Sequence, residues 1–90
     1  MYYLYILQSN KDKNLYIGYT PDLKKRLELH KLGKVPSTKG RRPLKLIFYE
    51  AFLNKNDAVS REKFFKTGWG RRHLHKALKY TLLGGASRNL

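Results

Sequence analysis

Two short runs of strand-forming residues, separated by only six polar residues, constrain the start of this chain most strongly. Residues 2–8 and residues 15–19 are rich in Tyr, Ile and Leu, and residues 9–14 are turn-forming side chains. Two strands with so short a connection pair as an antiparallel hairpin. The chain therefore begins with a β-hairpin on which the later segments must pack.

A helix and a third strand are predicted after the hairpin. Thr20, Pro21 and Asp22 supply an N-cap, a proline at the first helical position and an acid in the first turn. This helix extends to about residue 32. Residues 33–43, with two prolines and two glycines, predict a mobile basic loop. Residues 44–53 form an apolar strand that is expected to lie centrally or to be covered on both faces.

Two more helices complete the predicted order. Residues 56–66 form one helix, Gly70 breaks the chain, and the last helix begins at about Arg71. The order β-β-α-β-α-α predicts an α+β fold, a three-stranded sheet with helices. Residues 1–83 are predicted to be a single domain and residues 84–90 a short flexible tail.

The charge of the chain predicts a polyanionic partner. Twenty Lys and Arg against six Asp and Glu give a formal net charge of +14. Nucleic acid is the expected partner, because neutralising phosphates releases counterions and drives binding. An anionic membrane surface competes, but the helices carry their apolar residues as core stripes. The chain has no cysteine, leader or spanning segment, and a cytoplasmic protein is expected.

The first predicted helix turns two polar side chains toward the side that its leucines mark as buried. Arg26 and His30, four residues apart, both fall within this apolar arc. An inward arginine needs an anion, and an inward imidazole needs a partner for each ring nitrogen. Taken alone, His30 is compatible with a satisfied core histidine, and Arg26 with an ion pair to Glu62 or Glu50.

Glu62 lies in the middle of the apolar stripe of the next long helix. At about 100° per residue, this stripe contains Ala58 and Phe65 and continues to Trp69, which is expected in the core. A half-buried carboxylate is unfavourable unless a cation or a metal ion compensates its charge. An ion pair with a lysine or arginine and a metal site are the two alternatives for Glu62.

Tyrosines and one glycine share faces of the predicted hairpin. Tyr3 and Tyr5 lie on one face of the first strand, and Tyr16 and Gly18 lie on one face of the second. If the strands pair Tyr5 with Tyr16 or Gly18, the phenols and the glycine lie together, whereas a slip of one residue separates them. Packing tyrosines with a wet hydroxyl, and a β-bulge at Gly18, are the alternatives.

Together these side chains are the ones that phosphodiester hydrolysis requires. A carboxylate can hold a hard divalent ion, and an arginine stabilises charge on phosphoryl oxygens. A phenol or imidazole can move the proton of the attacking water. Mg²⁺ suits a site with one protein carboxylate, because it keeps several of its waters. Their joint inward placement predicts a catalytic pocket.

Three separated motifs resemble those of the GIY-YIG nuclease superfamily. Tyr3-Leu4-Tyr5, about ten residues before Tyr16-Ile17-Gly18, is similar to the paired motif of that family. Residues 22–30 resemble its arginine-bearing helix, with a histidine one turn later, and residues 58–63 resemble the segment with its metal-binding glutamate. The likeness is greatest to small single-domain bacterial proteins of the UPF0213-type branch, which is similar to excision-repair nucleases. Tyr3 stands where the name-giving glycine of the family would be, which is a common variation in this branch.

The resemblance implies a fold and a reaction. The fold is a three-stranded antiparallel sheet flanked by helices. The reaction is metal-dependent hydrolysis of DNA by a structure-selective or nicking endonuclease in DNA repair or recombination. DNA is the expected substrate rather than RNA. Characterised members carry added domains, so a protein partner that supplies substrate specificity is also expected.

The resemblance also implies roles for individual residues. Tyr5 and Tyr16 would be the motif tyrosines, with Tyr16 favoured as the base, and Gly18 would permit close backbone approach. Three residues from the helices complete the site. Arg26 would contact the scissile phosphate, His30 would assist proton transfer, and Glu62 would bind one divalent ion, Mg²⁺ or Mn²⁺.

Six further basic residues are predicted to contact a nucleic-acid backbone. Four lie in the predicted loop, and two begin the last helix, where the helix dipole disfavours cations. Solvated surface charge is the alternative for the four loop residues. The six are Lys34, Lys39, Arg41, Arg42, Arg71 and Arg72.

Two other functions compete with a nuclease. The first is a non-catalytic binding module that keeps the nuclease fold and its basic surface. The second is an accessory protein bound to an acidic protein or to ribosomal RNA. Metal-dependent cleavage separates the nuclease from both.

Overall fold

The computed structural model describes residues 1–82, and its first two elements form the predicted hairpin. Strand β1 spans Tyr2–Ser9 and strand β2 spans Leu15–Thr20. In the turn, the Ser9 hydroxyl accepts hydrogen bonds from the backbone N–H groups of Lys11 and Asp12, at 3.0 and 3.2 Å. The predicted tail at residues 84–90 and the domain boundary at residue 83 lie outside the described residues.

The sheet has three antiparallel strands in the order β2-β1-β3, which confirms the predicted α+β class. Strand β3 spans Leu44–Phe52. The prediction that this third strand lies centrally or is covered on both faces is wrong. Strand β1 bonds to both neighbours, β3 is an edge strand, and no residue of β3 is fully buried. Four consecutive residues of β1, Leu4 to Leu7, are buried, whereas β3 is only half-buried.

Four helices surround the sheet: α1 (Leu23–Lys31), α2 (Pro36–Lys39), α3 (Lys55–Phe65) and α4 (Gly68–Ala77). Residues 79–82 are again helical. The N-cap of α1 is Asp22, not Thr20, because the Asp22 carboxylate accepts the Lys25 N–H at 3.1 Å. The segment predicted as a loop contains α2, so the element order is β-β-α-α-β-α-α.

The junction between α3 and α4 differs from the prediction. Gly70 does not break the chain but lies buried inside α4, where a Cβ would overlap the Phe64 carbonyl oxygen. Thr67 caps α4 by accepting the Gly70 N–H on its hydroxyl at 3.0 Å. Because the helix restarts here, the α3 stripe does not continue, and the prediction that Trp69 is in the core is wrong. Its exposed fraction is 74%.

The two faces of the sheet carry different environments. The core packs Leu4, Ile6 and Ile17 of the sheet against Phe65 of α3 and against two leucines of α4, Leu74 and Leu78. Tyr5 alternates with Leu4 and Ile6, so its side chain lies on the opposite face, where helix α1 packs. Within residues 1–82, no helix is long and apolar enough to cross a membrane.

Candidate active site

A buried chain of hydrogen bonds joins β1, α1 and α2. The Tyr5 hydroxyl lies 2.8 Å from Nε2 of His30, and Nδ1 of the same ring lies 2.7 Å from the Thr38 hydroxyl. The three side chains are at most 1% exposed. Each ring nitrogen of His30 therefore has a partner, which allows a histidine to be buried here.

Arg26 connects this chain to the surface of the protein. Its half-buried side chain donates Nε–H to the Tyr5 hydroxyl at 3.2 Å. Burial raises the pKa of Tyr5 to about 12, although the hydrogen bond from Arg26 acts in the opposite direction. The hydrogen bond to Tyr5 raises the pKa of Arg26 above its ordinary value. At neutral pH the pair is therefore a neutral phenol and a guanidinium cation.

His30 is a neutral imidazole at neutral pH. Burial, assisted by the positive charge of Arg26, lowers its pKa to about 4. One proton assignment satisfies every group: Arg26 donates to Tyr5, Tyr5 donates to Nε2 of His30, and Nδ1–H donates to Thr38. The Thr38 hydroxyl then donates to the Val35 carbonyl, which lies at 3.5 Å. The chain of donors consequently ends on a backbone acceptor.

The strand register brings Gly18 and Tyr16 to the same place. Tyr5 pairs with Gly18, and Leu7 pairs with Tyr16. A Cβ at position 18 would lie 2.6 Å from Cζ and from the hydroxyl oxygen of Tyr5, so the glycine makes room for that ring. The Tyr16 ring centroid lies 6.2 Å from that of Tyr5 and 5.1 Å from that of His30. Tyr5, Tyr16, Arg26 and His30 thus come together.

The partner of Glu62 is a lysine of its own helical region and not a member of this cluster. The Glu62 carboxylate accepts a hydrogen bond from the Lys66 ammonium at 3.1 Å, one helical turn later. In the described part of the chain, no hydrogen bond or ion pair joins Glu62 to Tyr5, Arg26 or His30. Helix α3 packs on the Leu4 face of the sheet, opposite the face that carries Tyr5. The ion-pair alternative for Glu62 is therefore present in the structure.

Arg26 forms an ion pair with neither Glu50 nor Glu62, so the alternative of an ion pair for Arg26 is not present among residues 1–82. Glu50 on β3 pairs with Arg61 on α3, with Nε–Oε1 and Nη2–Oε2 distances of 2.7 and 3.3 Å. The Arg61 guanidinium also lies 4.5 Å from the Phe65 ring centroid. Because Glu50 and Glu62 both have other partners, Arg26 keeps a positive charge that no carboxylate neutralises among residues 1–82.

Glu62 has the chemistry of a magnesium ligand despite its lysine partner. Carboxylate oxygens suit Mg²⁺ and Mn²⁺. The side chains of Glu62 and Lys66 are 23% and 54% exposed. Exposed helical pairs of this spacing contribute only about 0.3–0.5 kcal/mol, so the ammonium can give way to a divalent ion. No three His, Cys, Asp or Glu side chains of residues 1–82 form a cluster, so Glu62 fits an ion that keeps most of its waters.

The four basic residues predicted in the loop occupy different environments. Lys34, Lys39 and Arg42 are exposed. Arg41 is half-buried, pairs with Asp12 at 3.4 Å, and donates to the Leu15 carbonyl at 3.4 Å. Arg41 therefore ties the segment to the hairpin, and its charge is partly compensated.

A cleft of about 830 Å³ opens beside His30, between α1, β3 and the segment that contains α2. Leu7 and Leu46 contribute to its apolar floor, and Lys39 and Arg42 lie at its rim. Two of the predicted nucleic-acid contacts thus adjoin the residue at the centre of the buried chain. Arg71 and Arg72, on α4, are exposed on a different part of the molecule.

Two structurally important residues were not found from the sequence. Thr38 is fully buried against His30, but it lies in a segment whose composition predicts a loop. The second, Arg61, precedes Glu62 and pairs with Glu50. A useful signal for Thr38 was available, because a buried histidine needs a second polar partner.

The chain is similar to known proteins over most of its length. The family model described as the GIY-YIG catalytic domain matches residues 1–75. Among curated proteins, the chain is 54% identical over 66 residues to the UPF0213 protein YsiG of Lactococcus lactis. It is 49% identical over 65 residues to the UPF0213 protein SpyM50708 of Streptococcus pyogenes.

The matched regions do not cover the whole of these relatives. For the Lactococcus protein, the match covers 72% of this chain and 62% of the relative. The corresponding shares for the Streptococcus protein are 71% and 70%. No solved structure matches the chain.

Proposed function

The chain belongs to the GIY-YIG family of nucleases, and from this premise we propose that it is a metal-dependent endonuclease that hydrolyses DNA phosphodiester bonds. The observation that supports this best is the chain from Arg26 through Tyr5 to His30, which holds a guanidinium cation at the edge of a buried polar network. We propose structure-selective or nicking cleavage in DNA repair or recombination.

Arg26 is proposed to bind the scissile phosphate. Its Nε–H is occupied by the Tyr5 hydroxyl, which leaves the Nη groups to donate to phosphoryl oxygens. A guanidinium in this position stabilises the negative charge that grows on those oxygens in the transition state. Tyr5 and His30 act as positioning residues, because their hydrogen bonds fix the orientation of the guanidinium.

Tyr16 is the proposed base. Tyr5 is unsuitable, because burial raises its pKa to about 12. His30 is also unsuitable, because both of its ring nitrogens have buried partners. The half-exposed Tyr16 would act as general base, taking the proton of the attacking water on its side-chain oxygen while its own proton passes to solvent. The water oxygen then bonds to phosphorus, the bond from phosphorus to the leaving sugar oxygen breaks, and that oxygen takes a proton from solvent.

Glu62 is the residue that would hold the divalent ion. When bound, Mg²⁺ or Mn²⁺ supplies positive charge that stabilises the leaving oxygen. Helix α3 contacts the edge strand β2, which carries Tyr16. A DNA backbone lying along β2 would therefore approach both Tyr16 and Glu62. The Tyr16 ring lies on the Tyr5 face of the sheet, and α3, which carries Glu62, packs on the opposite face.

The substrate is proposed to be DNA held by the basic surface. With a net charge of +14, the protein attracts any phosphate backbone. Lys34, Lys39 and Arg42 are exposed and available for phosphates, whereas Arg41 contributes less, because Asp12 partly compensates its charge. A protein partner that supplies substrate specificity belongs to the same proposal.

Cleavage assays with matched variants test this proposal. Purified protein is incubated with Mg²⁺ or Mn²⁺ and nicked, flapped, branched or single-stranded DNA. We expect product from the wild type, none from Glu62→Gln, and a strong decrease for Tyr16→Phe. Glu28→Gln, which removes an exposed carboxylate from the outer side of α1, is the control and should cleave normally. Undiminished cleavage by Glu62→Gln would overturn the metal-binding role of Glu62.

A non-catalytic nucleic-acid-binding module is the second candidate. The ion pair between Lys66 and Glu62 favours it, because an ammonium already neutralises the carboxylate that would bind metal. For this function we expect salt-sensitive DNA binding without product on any substrate, with or without Mn²⁺. Metal-dependent product that disappears in Glu62→Gln excludes this candidate.

A further inference from the structure

Two large aromatic side chains lie exposed along the outer side of the C-terminal helical region. The exposed fractions of Trp69 and Tyr80 are 74% and 84%. Arg72 and Lys76 follow Trp69 at intervals of three and four residues within α4, which places these three side chains on one helical face. Tyr80 lies beyond the C-cap of α4, in the short helical segment 79–82. We call these four residues the aromatic–basic stripe.

Core packing determines the orientation of the stripe. Leu74 and Leu78, on the other side of the same helical region, are buried against the sheet and α3. Because those leucines face the core, Trp69 and Tyr80 cannot turn inward without unpacking α4. Exposed aromatic rings beside cations are the combination that single-stranded nucleic acid binds by stacking and by phosphate contacts.

The rings are accompanied by cations and by no acidic side chain. The Arg72 guanidinium lies 5.1 Å from the Trp69 ring centroid, and the Lys79 ammonium lies 5.7 Å from that of Tyr80. No Asp or Glu follows Glu62 in the sequence. None of the stripe cations forms a salt bridge among residues 1–82. The stripe therefore has positive charge that no carboxylate among residues 1–82 neutralises.

We propose that the aromatic–basic stripe binds a single-stranded segment of nucleic acid. Unpaired bases would stack on Trp69 and Tyr80, and phosphates would contact Arg72 and Lys76. In sequence the two rings flank the two cations, so a strand that contacts both rings would also pass Arg72 and Lys76. This proposal rests on the proposed function for one point, namely that the substrate is a nucleic acid. It adds a preference for unpaired strands.

Two other partners match the stripe less well. A duplex presents phosphates to the cations, but its paired bases cannot stack on the exposed rings. A membrane-surface helix needs a broad apolar face toward the lipid. Here Leu74 and Leu78 are buried in the core, and the outward side carries two cations between its two rings. Stacking combined with phosphate contacts favours the single strand.

Intrinsic fluorescence provides a direct test, because Trp69 is the one tryptophan of the chain. In EDTA, which prevents metal-dependent cleavage, the protein is titrated with a thymidine 20-mer, with a duplex of equal length, and with anionic phosphatidylserine vesicles. We expect saturable quenching by the single strand and much weaker quenching by the duplex. Equal quenching by strand and duplex, or stronger quenching by vesicles, would overturn the proposal.

Variants of the two rings test the contribution of stacking. Fluorescence anisotropy of a labelled 20-mer should show about 10-fold or greater loss of affinity for Trp69→Leu, and a further loss when Tyr80→Leu is added. Tyr49→Leu, which removes an exposed ring of β3, is the matched control and should bind like the wild type. Unchanged affinity in the double variant overturns the proposal.

Failure here and failure of the nuclease proposal are distinguishable. Binding is measured in EDTA, whereas cleavage is measured with Mn²⁺ and depends on Glu62. Quenching without cleavage on any substrate overturns the nuclease and supports the stripe. Normal cleavage by a Trp69→Leu variant that also binds single strands normally overturns the stripe and supports the nuclease.

Discussion

The Tyr5 ring lies so close to Gly18 that a Cβ at position 18 would come within 2.6 Å of the Tyr5 hydroxyl oxygen. The two residues are direct partners in the hairpin register. The glycine therefore determines where the Tyr5 hydroxyl can lie, and through that hydroxyl it influences both Arg26 and His30.

Gly18→Ala should displace the Tyr5 ring and disturb the buried chain. We expect a loss of about 1–3 kcal/mol in the free energy of unfolding, as for other overpacked sites, with strongly reduced cleavage. Urea denaturation and single-turnover cleavage measure the two effects. Gly40→Ala is the control, because a Cβ there meets nothing within 4 Å. Wild-type stability and activity in Gly18→Ala would contradict the proposed role of the contact.

Arg26→Gln should reduce cleavage and change the titration of His30. We expect at least about 100-fold slower cleavage, because the variant removes the charge that stabilises the phosphoryl oxygens. The pKa of His30 should rise above about 4, because the positive charge of Arg26 contributes to its lowering. NMR titration of the His30 ring measures this change. Lys25→Gln, which removes a neighbouring exposed charge, should leave both quantities unchanged.

His30 should make the fold less stable in acid. Its pKa is about 4 in the folded protein, against about 6.5 for an unperturbed histidine. Between these values the unfolded chain binds a proton that the folded chain does not, so stability is full above about pH 6.5 and falls toward pH 4. We expect a loss of about 1–3 kcal/mol from this group. Denaturation at pH 7.5 and pH 4.5 measures it.

The control for the pH experiment is a variant of an exposed histidine. His75→Gln should keep the wild-type difference between the two pH values, whereas His30→Gln should show a smaller difference. Equal differences for wild type and His30→Gln would contradict a buried neutral His30.

Lys66→Ala should free the Glu62 carboxylate for metal. If the nuclease proposal holds, the Mn²⁺ concentration for half-maximal cleavage should fall about twofold, in line with the energy of an exposed helical pair. Stability should change by no more than about 0.5 kcal/mol. Lys63→Ala, which removes an exposed ammonium of the same helix, is the control. A higher Mn²⁺ requirement in Lys66→Ala would show that the ammonium assists the site.

Gly70→Ala should destabilise the packing of α4 on α3. A Cβ at position 70 would overlap the Phe64 carbonyl oxygen and lie 2.7 Å from Cα of Phe65, and backbone atoms cannot move away cheaply. We expect a loss of at least about 2 kcal/mol, measured by urea denaturation. Gly68→Ala is the control, because a Cβ there meets nothing within 4 Å, and it should not cause a comparable loss in the free energy of unfolding. Equal stability of the two variants would contradict the close approach.

Local patterns in the sequence predicted much of the fold and part of the site. The polar turn between two strand-forming runs predicted the hairpin, and helical periodicity placed Arg26 and His30 together on an inward face. These features depend on neighbours within a few residues, whose spacing repeats at the period of a strand or helix. The pairing of Tyr5 with Gly18 was one of the registers that the pattern left open.

Tertiary structure alone decided the remaining relationships. The central position of β1 and the contact of Thr38 with His30 depend on contacts between distant segments that no repeat in the sequence specifies. The exposure of Trp69 has a similar cause. The stripe of α3 predicted a buried ring, but the chain restarts its helix at Gly68, and the close packing at Gly70 then determines which side of α4 faces water.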